Sequence, residues 1–87
     1  MKYEYTNAFI KDVKKSSPEI QSQVRDLVEE IRKVDRLVEL PNVKKMKGFS
    51  NAFRIRLGEY RVDIFLENGT MILARMLHRK EVYRYFP

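Results

Sequence analysis

The sequence predicts an α+β fold with the element order β-α-α-β-β-β, in which two N-terminal helices pack on one face of a four-stranded antiparallel sheet. Apolar residues recur at spacings of four, three, four and three from Ile20 to Val34, which is the pattern of an amphipathic helix. Residues 53–65 alternate apolar and charged side chains, as a strand with one buried face does. The turn signals Gly58-Glu59 and Asn68-Gly69 divide the second half of the chain into three strands.

The N-terminal half supplies the first strand and the two helices. Residues 2–5 form a short strand, and Thr6 or Asn7 caps the first helix. Ser17-Pro18 ends that helix and begins the second, with Ser as N-cap and Pro at the first helical position. Residues 35–51 are expected to be mostly loop. The 87 residues fit a single domain spanning positions 1–87.

A two-residue loop at Gly58-Glu59 fixes the register of the first hairpin, because Gly in the first loop position suits a type II′ turn. The register pairs Arg56 with Arg61, and directly opposed residues share a sheet face. The face opposite the helices then carries three arginines and a single acid: Arg54, Arg56, Arg61 and Asp63. Opposed like charges destabilise a sheet, so an anion site is as good an explanation of this cluster as a solvated surface.

The second hairpin pairs Leu66 with Met71. This register places Met76 opposite Arg61 and brings His78 and Arg79 to the same end of the sheet. It also turns Arg75 toward the core. Either this arginine snorkels at an open edge or a bulge shifts the alternation of side chains.

Charge and composition limit the classes of partner and of site that this protein is expected to have. Lys and Arg number 18 against 12 Asp and Glu, a net charge of +6, which favours a polyanion or an acidic protein. The absence of Cys excludes disulfides and thiolate metal sites. The N-terminus has no signal-peptide pattern, and no apolar run approaches the ~20 residues of a membrane span, so a soluble cytoplasmic protein is expected.

The residue types favour phosphodiester chemistry without a cofactor. There is one His, no Asp, Glu and His cluster with metal-ligand spacing, and no Gly-rich phosphate loop. Guanidinium groups bind phosphate and stabilise the additional charge of a pentacoordinate transition state, while the 2′-hydroxyl of RNA serves as nucleophile. Tyr83 is suited to stack on a base. The lysines of residues 44–47 form a loop that is either solvated or follows a phosphate backbone.

Three segments resemble the RelE/ParE superfamily of toxin–antitoxin toxins, and the RelE-like branch most closely. They are residues 42–48, 52–62 and 78–84, with the sequences NVKKMKG, AFRIRLGEYRV and HRKEVYR. The resemblance implies an endoribonuclease that cuts mRNA in the ribosomal A site by metal-free attack of the 2′-hydroxyl, leaving a 2′,3′-cyclic phosphate and inhibiting translation. It also implies a cognate antitoxin as partner and a toxin–antitoxin hetero-oligomer.

Position within these segments implies the roles of individual residues. The expected catalytic set is Arg56, Arg61, His78, Arg79 and Tyr83, and the expected RNA-binding set is Lys44, Lys45, Lys47, Arg54 and Lys80. Some relatives carry Lys in place of Arg54 and Arg56. Arginine stays protonated and makes a poor base, so the base is His78 or a solvent or ribosomal group.

Two other functions compete with the nuclease. The ParE branch shares the fold but poisons DNA gyrase and needs no catalytic set, and the conjunction of Arg61, Arg79 and Tyr83 argues against it. The third possibility is a non-catalytic basic binding module.

Overall fold

The computed structural model describes residues 1–82. In chain order the helices and strands are β1 (Lys2–Tyr5), α1 (Asn7–Lys15), α2 (Pro18–Lys33), β2 (Val43–Lys45), β3 (Ala52–Leu57), β4 (Tyr60–Glu67) and β5 (Thr70–His78). A short 3₁₀ turn at Leu37–Glu39 lies between α2 and β2. None of the helices in the described part combines the length and apolar character that crossing a membrane requires.

Both helix starts are formed by the residues that the sequence predicts. Thr6 accepts a hydrogen bond from the Phe9 N–H at 3.0 Å, and Ser17 accepts one from the Ile20 N–H at 3.3 Å. Pro18 opens α2, which runs to Lys33 with Val34 as its C-terminal cap. The predicted apolar stripe of α2 packs on the sheet, because Val24, Leu27 and Ile31 are buried there.

The sheet has five strands in the order β1-β5-β4-β3-β2, and it is mixed. The prediction of four antiparallel strands was wrong in two respects. β1 pairs in parallel with β5, from Lys2 opposite Thr70 to Tyr5 opposite Leu73. Val43–Lys45, expected to be loop, adds an antiparallel edge strand beside β3. The α+β class and the two helices on one sheet face are confirmed.

Both predicted hairpins form, and the pairing next to each turn is as predicted. Gly58 has φ of +61°, as the first loop position of a type II′ turn requires, and Arg56 lies opposite Arg61. Asn68 and Gly69 have φ of +50° and +78°, the left-handed values of a type I′ turn. Leu66 pairs with Met71 as predicted.

β5 contains a bulge that the sequence left as one of two alternatives. Ile64 pairs with Leu73 but its neighbour Asp63 pairs with Arg75, so Ala74 is an extra residue. The Thr6 hydroxyl donates to the Ala74 carbonyl at 2.7 Å, which ties the bulge to the start of α1.

The bulge also explains the position of Arg75. Its guanidinium donates twice to Asp12 of α1, at 2.8 and 3.1 Å, and the same carboxylate accepts the Met76 N–H at 2.9 Å. Asp12 therefore provides a hydrogen-bond acceptor for a backbone N–H of β5 that lies beyond the segment paired with β1. Since Met76 has moved to the helix side, it is buried in the main core.

Candidate functional site

Five of the cations that the sequence singled out converge on one cavity of about 480 Å³ on the sheet face opposite the main core. We call this cavity the cation pocket. Its walls come from β2, β3, β4 and the chain directly after β5, and its lining residues are Lys44, Arg54, Arg61, Arg79, Lys80 and Val82. Five of these six side chains carry a positive charge, so the pocket is suited to an anion.

The pocket is less open than predicted, because the chain returns across the sheet after β5. The Arg79 N–H donates to the Glu59 carbonyl at 2.8 Å, and the Glu81 N–H donates to the His78 carbonyl at 2.8 Å. These bonds form a turn that brings Val82 onto the arginine side, where it is buried. The prediction of an open arginine face was therefore wrong at this end.

Two arginines at the pocket mouth are oriented by the β3–β4 turn. Arg61 donates through Nη1 to the Gly58 carbonyl at 2.8 Å and to the Tyr60 carbonyl at 2.9 Å. Arg79 forms an ion pair with Glu59 at 2.8 Å, and both side chains are more than half exposed. An exposed ion pair contributes only about 0–1 kcal/mol, so an arriving anion displaces Glu59 from Arg79 at little cost.

Arg54 lies at the bottom of the pocket in a different environment. Its Nε donates to the Asp63 carboxylate at 2.7 Å, and the two side chains are 13% and 0% exposed. Burial raises the pKa of Asp63 above its ordinary value of 3.8, and the hydrogen bond and charge of Arg54 only partly oppose this rise. The sequence identified Asp63 as the only acid on this face but assigned it no role.

Arg56 lies outside the cation pocket. It is exposed and directly opposite Arg61, but it lines a separate cavity of about 230 Å³ between α2 and the end of β3. The predicted RNA-binding lysines also divide. Lys44 lies opposite Arg54 and lines the cation pocket, whereas Lys45 lies opposite Phe53 and so shares the other sheet face.

Lys47 is exposed beyond the end of β2 and does not line the cation pocket. The predicted stacking residue Tyr83 lies outside the described residues.

His78 lies on the sheet face opposite the cation pocket, contrary to the predicted register. The bulge at Ala74 shifts the alternation by one residue, so Leu77, rather than Met76, lies opposite Arg61. His78 instead lies opposite Tyr60, and the two rings meet edge to face with centroids 5.5 Å apart.

The ring of His78 accepts a backbone hydrogen bond and lines a cavity other than the cation pocket. Its Nδ1 accepts the Lys80 N–H at 3.1 Å. His78 lines a cavity of about 320 Å³ together with Asp12 and Arg75. It is thus near the Arg79 end of the sheet, as predicted, but is directed into a different cavity.

Sequence reasoning missed Glu59 and Val82 as parts of the pocket. Glu59 was interpreted only as a turn residue, although its position directly after Gly58 and before the arginines was a signal of a local counter-ion. Val82 had no usable signal, since its burial depends on the turn that follows β5.

Comparison with known proteins decides the family. Residues 3–83 match the family model described as ParE toxin of type II toxin–antitoxin system, parDE. Over its whole length the chain is 39% identical to toxin RelE3 of Methanocaldococcus jannaschii, of which it also covers 100%. This chain belongs to the RelE/ParE superfamily of type II toxin–antitoxin toxins.

Similarity to solved structures agrees with this family assignment. This toxin is similar to the RelB–RelE antitoxin–toxin complex from Methanococcus jannaschii with a TM-score of 0.81 and 36% identity, over 95% of this chain and 98% of that one. The isolated RelE toxin of E. coli has a TM-score of 0.71 over 98% of each chain, and at 14% identity it shows the common fold alone.

The raised pKa of Asp63 predicts how the stability of the toxin depends on pH. Because the folded-state pKa lies above that of the unfolded chain, protonated Asp63 favours folding, and this contribution is lost as pH rises through the folded-state pKa. Asp63→Asn removes the titration. We therefore expect the free energy of unfolding of the wild type, relative to Asp63→Asn, to fall between the ordinary Asp pKa of 3.8 and neutrality.

Urea unfolding at a series of pH values measures this difference. A wild-type protein that gains stability over the variant as pH rises would show that the attraction of Arg54 exceeds the cost of burying the carboxylate.

Proposed function

We propose that this toxin is a ribosome-dependent endoribonuclease that cuts mRNA at a phosphate held in the cation pocket. The observation that carries the proposal is the convergence of Arg54, Arg61 and Arg79 on one cavity. Three guanidiniums from three segments of the chain bind phosphate oxygens by charge-assisted, bidentate hydrogen bonds. The exposed ion pair of Arg79 allows exchange of the Glu59 carboxylate for a phosphate.

In the proposed reaction the 2′-oxygen of the RNA attacks the adjacent phosphorus and the bond from phosphorus to the 5′-oxygen breaks. The products are a 2′,3′-cyclic phosphate and a 5′-hydroxyl. The 2′-hydroxyl loses its proton to solvent or a ribosomal group, and the departing 5′-oxygen gains one. Arg61 and Arg79 stabilise the charge that accumulates on the phosphate oxygens, which is where fixed cations lower a barrier most effectively. These side chains require no metal ion for that role.

A cognate antitoxin and the ribosome are the proposed partners, in the cytoplasm. The net charge of +6 and the cation pocket are complementary to an acidic antitoxin segment. The similar structure from Methanococcus jannaschii is an antitoxin–toxin complex. We expect calorimetry to show antitoxin binding that weakens between 50 mM and 500 mM salt, since exposed charge pairs are screened. Binding indifferent to salt would favour the apolar groove between α1 and α2, lined by Tyr5, Phe9 and Ile10 among others.

The second candidate function is poisoning of DNA gyrase, and the match to the ParE toxin family model favours it. Purified protein added to a translation reaction and, separately, to gyrase with supercoiled DNA distinguishes the two. Ribosome-dependent mRNA cuts with cyclic phosphate ends support the nuclease. Gyrase-linked DNA breaks support the alternative. If neither product forms, the remaining possibility is a non-catalytic basic binding module.

Arg61→Ala tests the catalytic role of the pocket. Removing one preorganised donor from a developing charge lowers the rate by about 10²–10³-fold, so we expect a loss of this size in single-turnover cleavage, with ribosome binding nearly unchanged. Arg32→Ala is the matched control, because Arg32 is an exposed arginine of α2 that pairs with Glu29 and does not line the cation pocket. Cleavage at the wild-type rate by both Arg61→Ala and Arg79→Ala would exclude a catalytic role of the cation pocket.

His78→Gln tests whether the histidine is the base. Since His78 lies on the sheet face opposite Arg61, we expect the pH profile of single-turnover cleavage near neutrality to keep its shape in this variant. The assay follows the cleavage rate from pH 5.5 to 8.5 with wild type alongside. A profile that flattens in the variant would return His78 to the role that the sequence suggested.

A further inference from the structure

Asp63 lies beneath the cation pocket, and the proposed mechanism gives it no part. It is fully buried on β4, directly opposite Arg54 on β3. One carboxylate oxygen accepts the Arg54 Nε–H at 2.7 Å. Within residues 1–82 its other oxygen has no hydrogen-bond partner.

Stability does not account for an aspartate at this position. A buried polar atom without a partner destabilises the fold, and burial raises the pKa of Asp63 more than the attraction of Arg54 lowers it. Replacement of a buried ion pair by apolar residues of similar volume is often neutral or stabilising. The pair is therefore explained better by what it does to Arg54 than by its contribution to folding.

The contact restricts Arg54 at the place where an anion would be bound. The Arg54 side chain is 13% exposed and lines the same cavity as Arg61 and Arg79. An arginine side chain loses rotamer entropy when it is ordered. Asp63 holds the guanidinium by its Nε edge, so this ordering is complete before a ligand arrives, and a cation fixed in advance does not reorganise during the reaction.

We propose that Asp63 is a positioning residue that fixes the Arg54 guanidinium at the floor of the cation pocket, where it meets a phosphate oxygen of the RNA. This inference rests on the proposed nuclease function. Asp63 acts only through Arg54, so its loss lowers the rate of the chemical step and leaves substrate affinity nearly unchanged.

Two substitutions separate position from charge. Asp63→Asn keeps an oxygen that accepts the Nε–H and removes the charge, whereas Asp63→Leu has a similar size and no acceptor. In nitrogen-15 NMR spectra we expect a resolved, solvent-protected Arg54 Nε–H signal in the wild type and Asp63→Asn, and its loss in Asp63→Leu. Titration with inorganic phosphate should shift this signal in the first two proteins. An unchanged Arg54 signal in Asp63→Leu would overturn the proposal, whatever the toxin does to RNA.

Single-turnover cleavage measures the consequence. We expect the maximal rate of Asp63→Leu to fall ~10–100-fold, as misplacement of a catalytic group does, with the substrate concentration at half-maximal rate nearly unchanged. Asp63→Asn should retain most of the rate. Glu29→Gln, a carboxylate-to-amide change in an exposed pair on α2, is the control and should cleave as the wild type does. Equal losses in the Asn and Leu variants would overturn the positioning role.

A double-mutant cycle distinguishes action through Arg54 from a general structural effect of the Asp63 substitution. In an Arg54→Met background, Asp63→Leu should cause no further loss of rate, and the apolar pair should fold even where Asp63→Leu alone does not. A further loss in that background would show that Asp63 acts through another group. A wild-type protein that fails to cleave would refute the nuclease, and the NMR experiment would still decide whether Asp63 holds Arg54.

Discussion

The extra residue in β5 decides on which sheet face each of the following side chains lies. Without Ala74 the alternation would direct Arg75 into the apolar core and place Met76 opposite Arg61. With it, Arg75 reaches Asp12 of α1 and Met76 enters the core. The hydroxyl of Thr6 donates to the carbonyl of Ala74, and the carboxylate of Asp12 accepts the N–H of Met76. The face that carries the cation pocket thus depends on contacts with the first helix, on the far side of the sheet.

The clustering of arginines on one face is made tolerable by two acids in different environments. Glu59 is exposed and pairs with Arg79, which also lies outside the sheet interior. Asp63 is fully buried and pairs with Arg54. Exposed pairs exchange readily with solvent ions, whereas a buried carboxylate cannot leave its partner without an uncompensated charge. The mouth of the pocket is therefore exchangeable and its floor is fixed.

Features encoded in a few neighbouring residues were predictable from the sequence, and features that depend on distant contacts were not. Gly58-Glu59 and Asn68-Gly69 specify their hairpins through left-handed backbone angles, so the pairing of Arg56 with Arg61 followed directly. The parallel pairing of β1 with β5 joins residues about 70 positions apart, which no local pattern encodes. The conflict at Arg75 was a real signal of the bulge, but its location at Ala74 depends on Thr6.

The same division applies to the site. Arg54, Arg61, Arg79, Lys44 and Lys80 were named from the sequence and line one cavity, whereas His78 was assigned to the wrong face because the shift in β5 was not located. On the proposed function this difference has a mechanistic consequence. Arginine keeps its proton throughout the physiological pH range. The arginines of the pocket therefore stabilise charge, and the proton of the 2′-hydroxyl must pass to a group other than these arginines.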